Sequence, residues 1–378
     1  MESVREGHFF YADSAATSHP KSAAVARRIA EYLQLGGTYG RGAYERAMAV
    51  SRMVERVRHQ VAQRIGVTDA RRVVFTAGAT MGLNVVLQGL DYPQGRVAVS
   101  PLEHNAVART LHALAESREI AVEVLPTLPD GTIDVDRITP AWAARYDLVA
   151  VNHVSNVSGV VQPLSVLRSC LGDVPLLVDA SQSIGHIPID IDAWGIDWLA
   201  CSAHKGLGGP TGLGVLYVGT RATLRPLICG GTGMDAGRLE MPAEVPTRYE
   251  AGTPNLVGIA GLAGALEEPV PSEHCWDDYL AFLHEVQKLK GLRVLTATKP
   301  HEGIELFSLV PERGAVSELS VRLSRDWGIE ARAGLHCATM AHEFYGTLQS
   351  GALRISLSPA HRPADLEYLL KALWTCLQ

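Results

Sequence analysis

Cysteine is scarce in this chain, with six among 378 residues at positions 170, 201, 229, 275, 337 and 376, and no Cys-x-x-Cys. Such scatter provides neither a disulfide framework nor a thiolate zinc site, and the default for each is a reduced thiol. Charge is sparse as well, at 20% of residues, where soluble proteins average about 25%. The net charge of −6 comes without a basic stripe, which argues against a nucleic-acid partner. Long apolar runs are missing: the stretch from Val73 to Leu90 is broken by Thr, Asn, Gln and three Gly, so no membrane span is expected. Met1 to His8 shows neither a basic start nor an apolar run of about 7–15 residues, the marks of a secretory signal, and the expected location is the cytoplasm. Hydrophobic residues, by contrast, make up 47% of the chain. That excludes disorder for its bulk and supports a sizeable core in about two domains.

Glycine is in surplus, 36 of 378, against an average of about 7%. A folded chain keeps extra glycines where backbone turns tightly or approaches a ligand. Short β-branched runs at Val73-Val74-Phe75, Val97-Ala98-Val99, Val122-Glu123-Val124, Leu148 to Val151 and Leu176-Leu177-Val178 read as strands. Helical patterns such as Val107 to Leu114 lie between them, and this alternation predicts an α/β fold with a largely parallel sheet covered by helices. Ala43 to Ile65 reads as a long surface helix, and Met241 to Pro254 as loop. After Gly264 the pattern changes, through Glu267-Glu268-Pro269-Val270-Pro271, toward a smaller α+β unit.

Ligands of open α/β sheets bind at the carboxyl ends of strands, and those ends carry the chemistry here. They supply Thr76-Ala77-Gly78-Ala79-Thr80, then Glu103-His104-Asn105, Asn152 to Asn156, Asp179-Ala180-Ser181-Gln182, and Ser202-Ala203-His204-Lys205. The first suits a phosphate cradle at a helix N-terminus, and equally suits an ordinary turn capped by Thr80. Gly231 to Ala236 formally fits a dinucleotide pattern but lacks a strand–turn–helix setting, and is rejected. Lys205, flanked by small residues after an apolar strand, is a candidate Schiff-base former, although a surface-loop lysine fits the same pattern. Asp179 ends an apolar strand and needs a cationic partner. The pyridinium of pyridoxal 5′-phosphate (PLP) would provide one beside a Schiff-base lysine, and His104 could stack on the same ring. One cofactor thus accounts for all five strand ends.

These segments resemble the cysteine desulfurases of the group II type, within the class V aminotransferase-like, fold-type I PLP enzymes. The likeness also rests on Asp13-Ser14-Ala15-Ala16-Thr17, His153 to Gly159, Tyr249 to Asn255, and Arg332-Ala333-Gly334-Leu335-His336-Cys337-Ala338, and runs from about Tyr11 to Leu370. It implies a large PLP-binding domain over 21–264 and a small domain from 1–20 and 265–378. It implies Lys205 as the PLP lysine, Asp179 as the pyridinium partner, Gln182 on the phenolic oxygen, and His104 as a catalytic residue that stacks on the ring and moves protons. Ala79, Thr80, Ser202 and His204 would hold the phosphate, with Thr253 from a second subunit of a homodimer. Asn156 would contact cofactor and substrate, Arg354 would clamp the substrate carboxylate, and Cys337 would take the sulfur as a persulfide, with His336 or the substrate as proton acceptor. The implied partners are L-cysteine or a related amino acid and a sulfur-acceptor protein or small molecule.

The chain departs from the family pattern at Ser14 (usually Asn), Met81 (commonly Glu) and His361-Arg362-Pro363 (commonly Tyr- or Phe-Asn-Thr). The last is expected near Arg354, where it bears on substrate identity. A competing expectation is therefore a C–S lyase or selenocysteine lyase that does not need Cys337. Another is an idle PLP-fold partner in a sulfur-transfer complex.

Overall fold

The computed structural model describes residues 9–40, 42–221, 223–233 and 237–378. The segment Met1 to His8 and the Met234 to Ala236 part of the formal dinucleotide match lie outside the described residues. A short strand, β1 (Phe10–Tyr11), comes first. It is followed by β2 (Val73–Thr76), β3 (Arg96–Val99), β4 (Ala121–Val124), β5 (Leu148–Asn152), β6 (Leu176–Asp179), β7 (Trp198–Ser202) and β8 (Gly214–Val218). These seven form one sheet in the order β2-β8-β7-β6-β5-β3-β4. The central strands β5, β6, β7 and β8 are buried along their whole length, as their near-continuous apolar sequences require. At the edge, β4 is largely exposed, and Glu123 ties it to Arg96 of β3 and to Tyr146.

The sheet is parallel except at β8, which runs against both β2 and β7. The link from β7 to β8 spans residues 203–213 and holds no helix; a parallel crossover needs a dozen or more residues, usually helical. This hairpin carries Lys205. At the start of β8, Gly214 lies so close to the turn before the next helix that a Cβ there would sit 2.4 Å from the Gly78 carbonyl carbon.

The expected long helix is present as Glu45–Arg64, with Val50, Val54, Val57 and Val61 fully buried. Its polar side contains an exception, Arg58, which is wholly buried and forms a bidentate pair with Glu250 at 2.9 and 3.1 Å. The same guanidinium bonds Val73 O and lies over the Phe75 ring, while Glu250 Oε1 also accepts the Phe75 N–H at 2.7 Å. The long helix, β2 and the loop leading to Thr253 are thereby joined. As expected, Met241 to Pro254 forms neither helix nor strand.

Later in the chain, β9 (Leu292–Leu295), β10 (Leu306–Pro311), β11 (Ile329–Glu330), β12 (Arg332–Gly334) and β13 (Ala352–Ser356) follow. Four of them make an antiparallel sheet, β12-β13-β10-β9, and β1 pairs in parallel with β11. Phe10 and Ala12 share a core with Tyr279, Phe307, Leu309, Leu353 and Leu369. Phe10 and Ala12, at the start of the chain, thus pack among the later elements.

Candidate active site

The carboxyl ends of β2, β3, β5, β6 and β7 converge on one open cavity. Ala79, Thr80, His104, Asn156, Asp179, Gln182, Ser202 and Lys205 all line it, together with Asn152 and Ser181. Residues separated by up to 126 positions in the sequence, from 79 to 205, therefore meet at one point. At its base the helix Ala79–Gly89 begins on Gly78, which has no side chain of its own to cap it. Ser202 Oγ accepts the Ala79 N–H at 3.4 Å. Free N–H groups and positive partial charge at a helix start suit an anion.

Burial pushes the Lys205 amine down to about 8; Asp179 opposes this shift, and Arg354 and Arg332 add to it. An amine so placed is a competent nucleophile near neutral pH. Asp179 is buried, with Oδ1 accepting the Ser181 N–H at 2.9 Å. His104 caps the helix Asn105–Arg118, and its Nδ1 accepts the Ala106 N–H at 3.1 Å, which makes Nδ1 the unprotonated nitrogen. Burial also lowers its pKa, so the ring is neutral. Gln182 spends one amide N–H on Ala15 O at 3.0 Å. Asn156 Oδ1 and Ser181 Oγ are buried without a partner. An uncapped helix start, a buried carboxylate, an amine with a lowered pKa and orphaned polar atoms fit a phosphorylated pyridine aldehyde such as PLP.

Four expected residues lie outside this lining. His204 turns a buried Nδ1 to no partner, and burial, with Lys205 and Lys21 nearby, lowers it to about 4. Thr253 is exposed and lines a separate cleft with Thr76, Ala77 and Met81. Arg354, buried in β13, bonds Asp13 Oδ1 at 2.5 Å and Asn156 O at 3.2 Å. Cys337 is exposed on a turn where both it and His336 have left-handed backbone, φ 55° and 49°. Each such residue costs roughly 1–2 kcal/mol, and the turn is held by specific bonds. Asn156 Nδ2 donates to His336 O at 2.8 Å, and the Asn105 N–H donates to Cys337 O at 2.7 Å.

The structure corrects one expectation about the thiol. His336 Nε2 bonds Ala352 O at 2.9 Å, and burial, with Arg354 close by, lowers the ring to about 3. So weak a base does not take a thiol proton. The group beside the sulfur is Arg332, with Nη2 4.0 Å from Cys337 Sγ and directly opposite Arg354 in the β12–β13 pair. Arg332 stands in the quoted cysteine segment but carries no local mark of its role. Asn105 and Glu103 were missed for the same reason. Glu103 is buried and bonds Ser100 Oγ and the Asn152 N–H, each at 2.6 Å. Burial, with the Asp179 charge, pushes its carboxyl up to about 8.

The departures also find their places. His361 stacks on Phe10 at 4.2 Å and accepts the Ser358 N–H at 3.1 Å. Arg362 is the N-cap and Pro363 the first residue of the last helix, where Asp365 Oδ2 accepts the Arg362 N–H at 2.8 Å and pairs with its guanidinium. These bonds are structural and leave Arg354 to Asp13.

Residues 10–369 match the Aminotransferase class-V family. The chain belongs to that family. It is 33% identical to a probable cysteine desulfurase of Haemophilus influenzae, over 98% of this chain and 86% of that protein. Its identity to another from Methanothermobacter thermautotrophicus is 32%, over 90% and 89%. Among solved structures, the cysteine desulfurase of Thermococcus onnurineus superposes with a TM-score of 0.86 at 26% identity, covering 98% of this chain and 94% of that one. CsdA of Escherichia coli gives 0.82 at 28%, covering 97% and 94%. Within the class-V family the chain is thus a cysteine desulfurase by descent and fold. Among the described residues no helix is long and apolar enough to cross a membrane, and no cluster of His, Cys, Asp and Glu could hold a metal ion.

Proposed function

We propose that this chain converts L-cysteine to L-alanine and leaves the sulfur on Cys337 as a persulfide for an acceptor protein or small molecule. The observation that carries this reading is the docking of the Cys337 turn on the Lys205 cavity: Asn156, which lines that cavity, donates its Nδ2 to His336 O at 2.8 Å, beside the thiol-bearing residue. PLP, when bound, supplies an electron sink that acidifies the substrate Cα. Asp179 would hold the ring nitrogen in its protonated form, Gln182 the phenolic oxygen, and the start of the helix Ala79–Gly89 with Thr80, Ser202 and His204 the phosphate. Arg354 would take the substrate carboxylate, in competition with Asp13. Lys205 moves the proton at Cα. Cys337 Sγ then attacks the substrate sulfur; the S–S bond forms as the Cβ–S bond breaks and its electron pair stays with carbon. Arg332 sets a guanidinium 4.0 Å from that sulfur, where it would stabilise negative charge during the attack.

Thr253 would serve the phosphate of a second copy in a homodimer. All six cysteines are free, which supports a reducing compartment such as the cytoplasm. The lyase alternative rested on a changed Arg354 neighbourhood, and His361-Arg362-Pro363 gives it no support. The test is product analysis with L-cysteine and a reductant: alanine and sulfide from the wild type, neither from Cys337→Ser. Undiminished turnover by Cys337→Ser would favour the lyase.

A further inference from the structure

Lys21 is a half-buried ammonium without a counter-ion among the described residues. Its Nζ donates to Ser18 Oγ and to His204 O, each at 2.7 Å, and burial alone lowers its amine to about 8. Burying an unpaired cation is unfavourable, so the contact it makes is informative. The carbonyl of His204 receives four donors: Lys21 Nζ, the Ser18 N–H at 3.0 Å, and Thr17 Oγ1 and Ser18 Oγ at 3.2 Å each. A carbonyl oxygen has two lone pairs. This crowded oxygen belongs to the peptide that joins His204 to Lys205.

The other flank of Lys205 is equally confined. A Cβ on Gly206 would fall 2.0 Å from Ile184 O, so no side chain fits between these backbones. The Lys205 carbonyl accepts the Gly208 N–H at 2.8 Å. Backbone on both sides of the lysine is therefore fixed, on one side by close packing and on the other by the segment from Thr17 to Lys21.

We infer that Lys21 is a positioning residue for Lys205: with Thr17 and Ser18 it fixes the His204–Lys205 peptide so that the Lys205 amine meets a pyridine aldehyde seated in the cavity. In the step so assisted, the amine nitrogen adds to the aldehyde carbon, a C=N bond forms, and the aldehyde oxygen leaves with two protons as water. The inference rests on the reading of Lys205 as the cofactor lysine.

The test uses full-length apoprotein mixed with PLP, with condensation followed by absorbance and confirmed by borohydride trapping and mass spectrometry. Pyridoxamine 5′-phosphate, which fills the same cavity but has no aldehyde, gives the affinity of the cavity itself. Lys21→Met is expected to slow condensation about tenfold, the scale set by a small misplacement of a reacting group, with pyridoxamine phosphate affinity unchanged. Lys21→Gln, which keeps a donor, is expected to restore most of the rate. Ser18→Ala, a milder change, should slow condensation without altering pyridoxamine phosphate binding, and serves if Lys21→Met does not fold. Wild-type condensation rates in Lys21→Met or in Ser18→Ala overturn the inference. So does a parallel loss of pyridoxamine phosphate affinity, which marks a purely structural role. Wild-type protein that fails to condense, like Lys205→Ala, instead overturns the reading of Lys205.

Discussion

The backbone N–H of Asn105 donates to the carbonyl of Cys337 at 2.7 Å, while its side-chain Oδ1 accepts the Thr339 N–H at 3.2 Å. Asn105 directly follows His104 at the start of the helix Asn105–Arg118. The turn that presents the thiol is thus docked on the same helix start that presents His104 to the cavity. Replacing Asn105 by Ala removes the side-chain bond to Thr339 and keeps the backbone bond. We expect cofactor binding to persist and sulfide release to fall several-fold, measured as kcat with cysteine and dithiothreitol beside the cofactor absorbance.

Arg332 should set the reactivity of the thiol. In Arg332→Met the thiolate loses its nearest cation, and alkylation of Cys337 by iodoacetamide at neutral pH is expected to slow by roughly three- to tenfold, the discount reflecting an exposed side chain. His336→Gln should leave that rate nearly unchanged, because the imidazole is too weak a base to hold the thiol proton. Peptide mass spectrometry of labelled protein distinguishes the two outcomes.

Arg58→Met leaves the Glu250 carboxylate buried and unpaired. Breaking a buried ion pair from one side costs about 3–5 kcal/mol, measurable by urea unfolding of the apoprotein. Because Glu250 also holds the Phe75 N–H, the cradle after β2 and the loop bearing Thr253 should loosen together. The double variant Arg58→Met with Glu250→Leu is expected to recover part of the loss.

The Lys205 amine titrates near 8 in the folded chain, against 10.5 unfolded. Between these values the unfolded state binds the extra proton, so this group's contribution to stability rises with pH. Below about pH 8 both states are protonated, and the folded chain carries the full penalty of a buried charge. Urea titrations of apoprotein should therefore show wild type gaining stability from pH 8 to 10.5 relative to Lys205→Met. A constant difference over that window would contradict the lowered value.

Much of this site was legible because its parts follow strands. Asp179, Lys205 and the Gly78 turn each come after a run of apolar residues, and the sheet needs only their order to bring them together. The hairpin to β8 was less visible, since its direction follows from the length of the 203–213 link and not from any residue in it. The burial of Arg58, inside a helix expected at the surface, is invisible locally because the partner that permits it lies 192 residues away. Asn105 and Thr339 are separated by 234 positions. No local pattern announces such a contact; it exists because the short helix Thr339–Phe344 packs against the helix Asn105–Arg118.

Asp13 and Arg354 are 341 residues apart in the chain and meet at 2.5 Å. A ribosome has therefore released nearly the whole protein before this pair can form. The cavity around Lys205 draws its lining from residues 79–205, and domains tend to fold as units from the N-terminus during synthesis. A nascent chain would accordingly acquire the cavity around Lys205 well before it acquires Arg354, proposed to hold the substrate carboxylate, and the Cys337 thiol. Birth order alone would keep an immature chain from drawing sulfur onto Cys337.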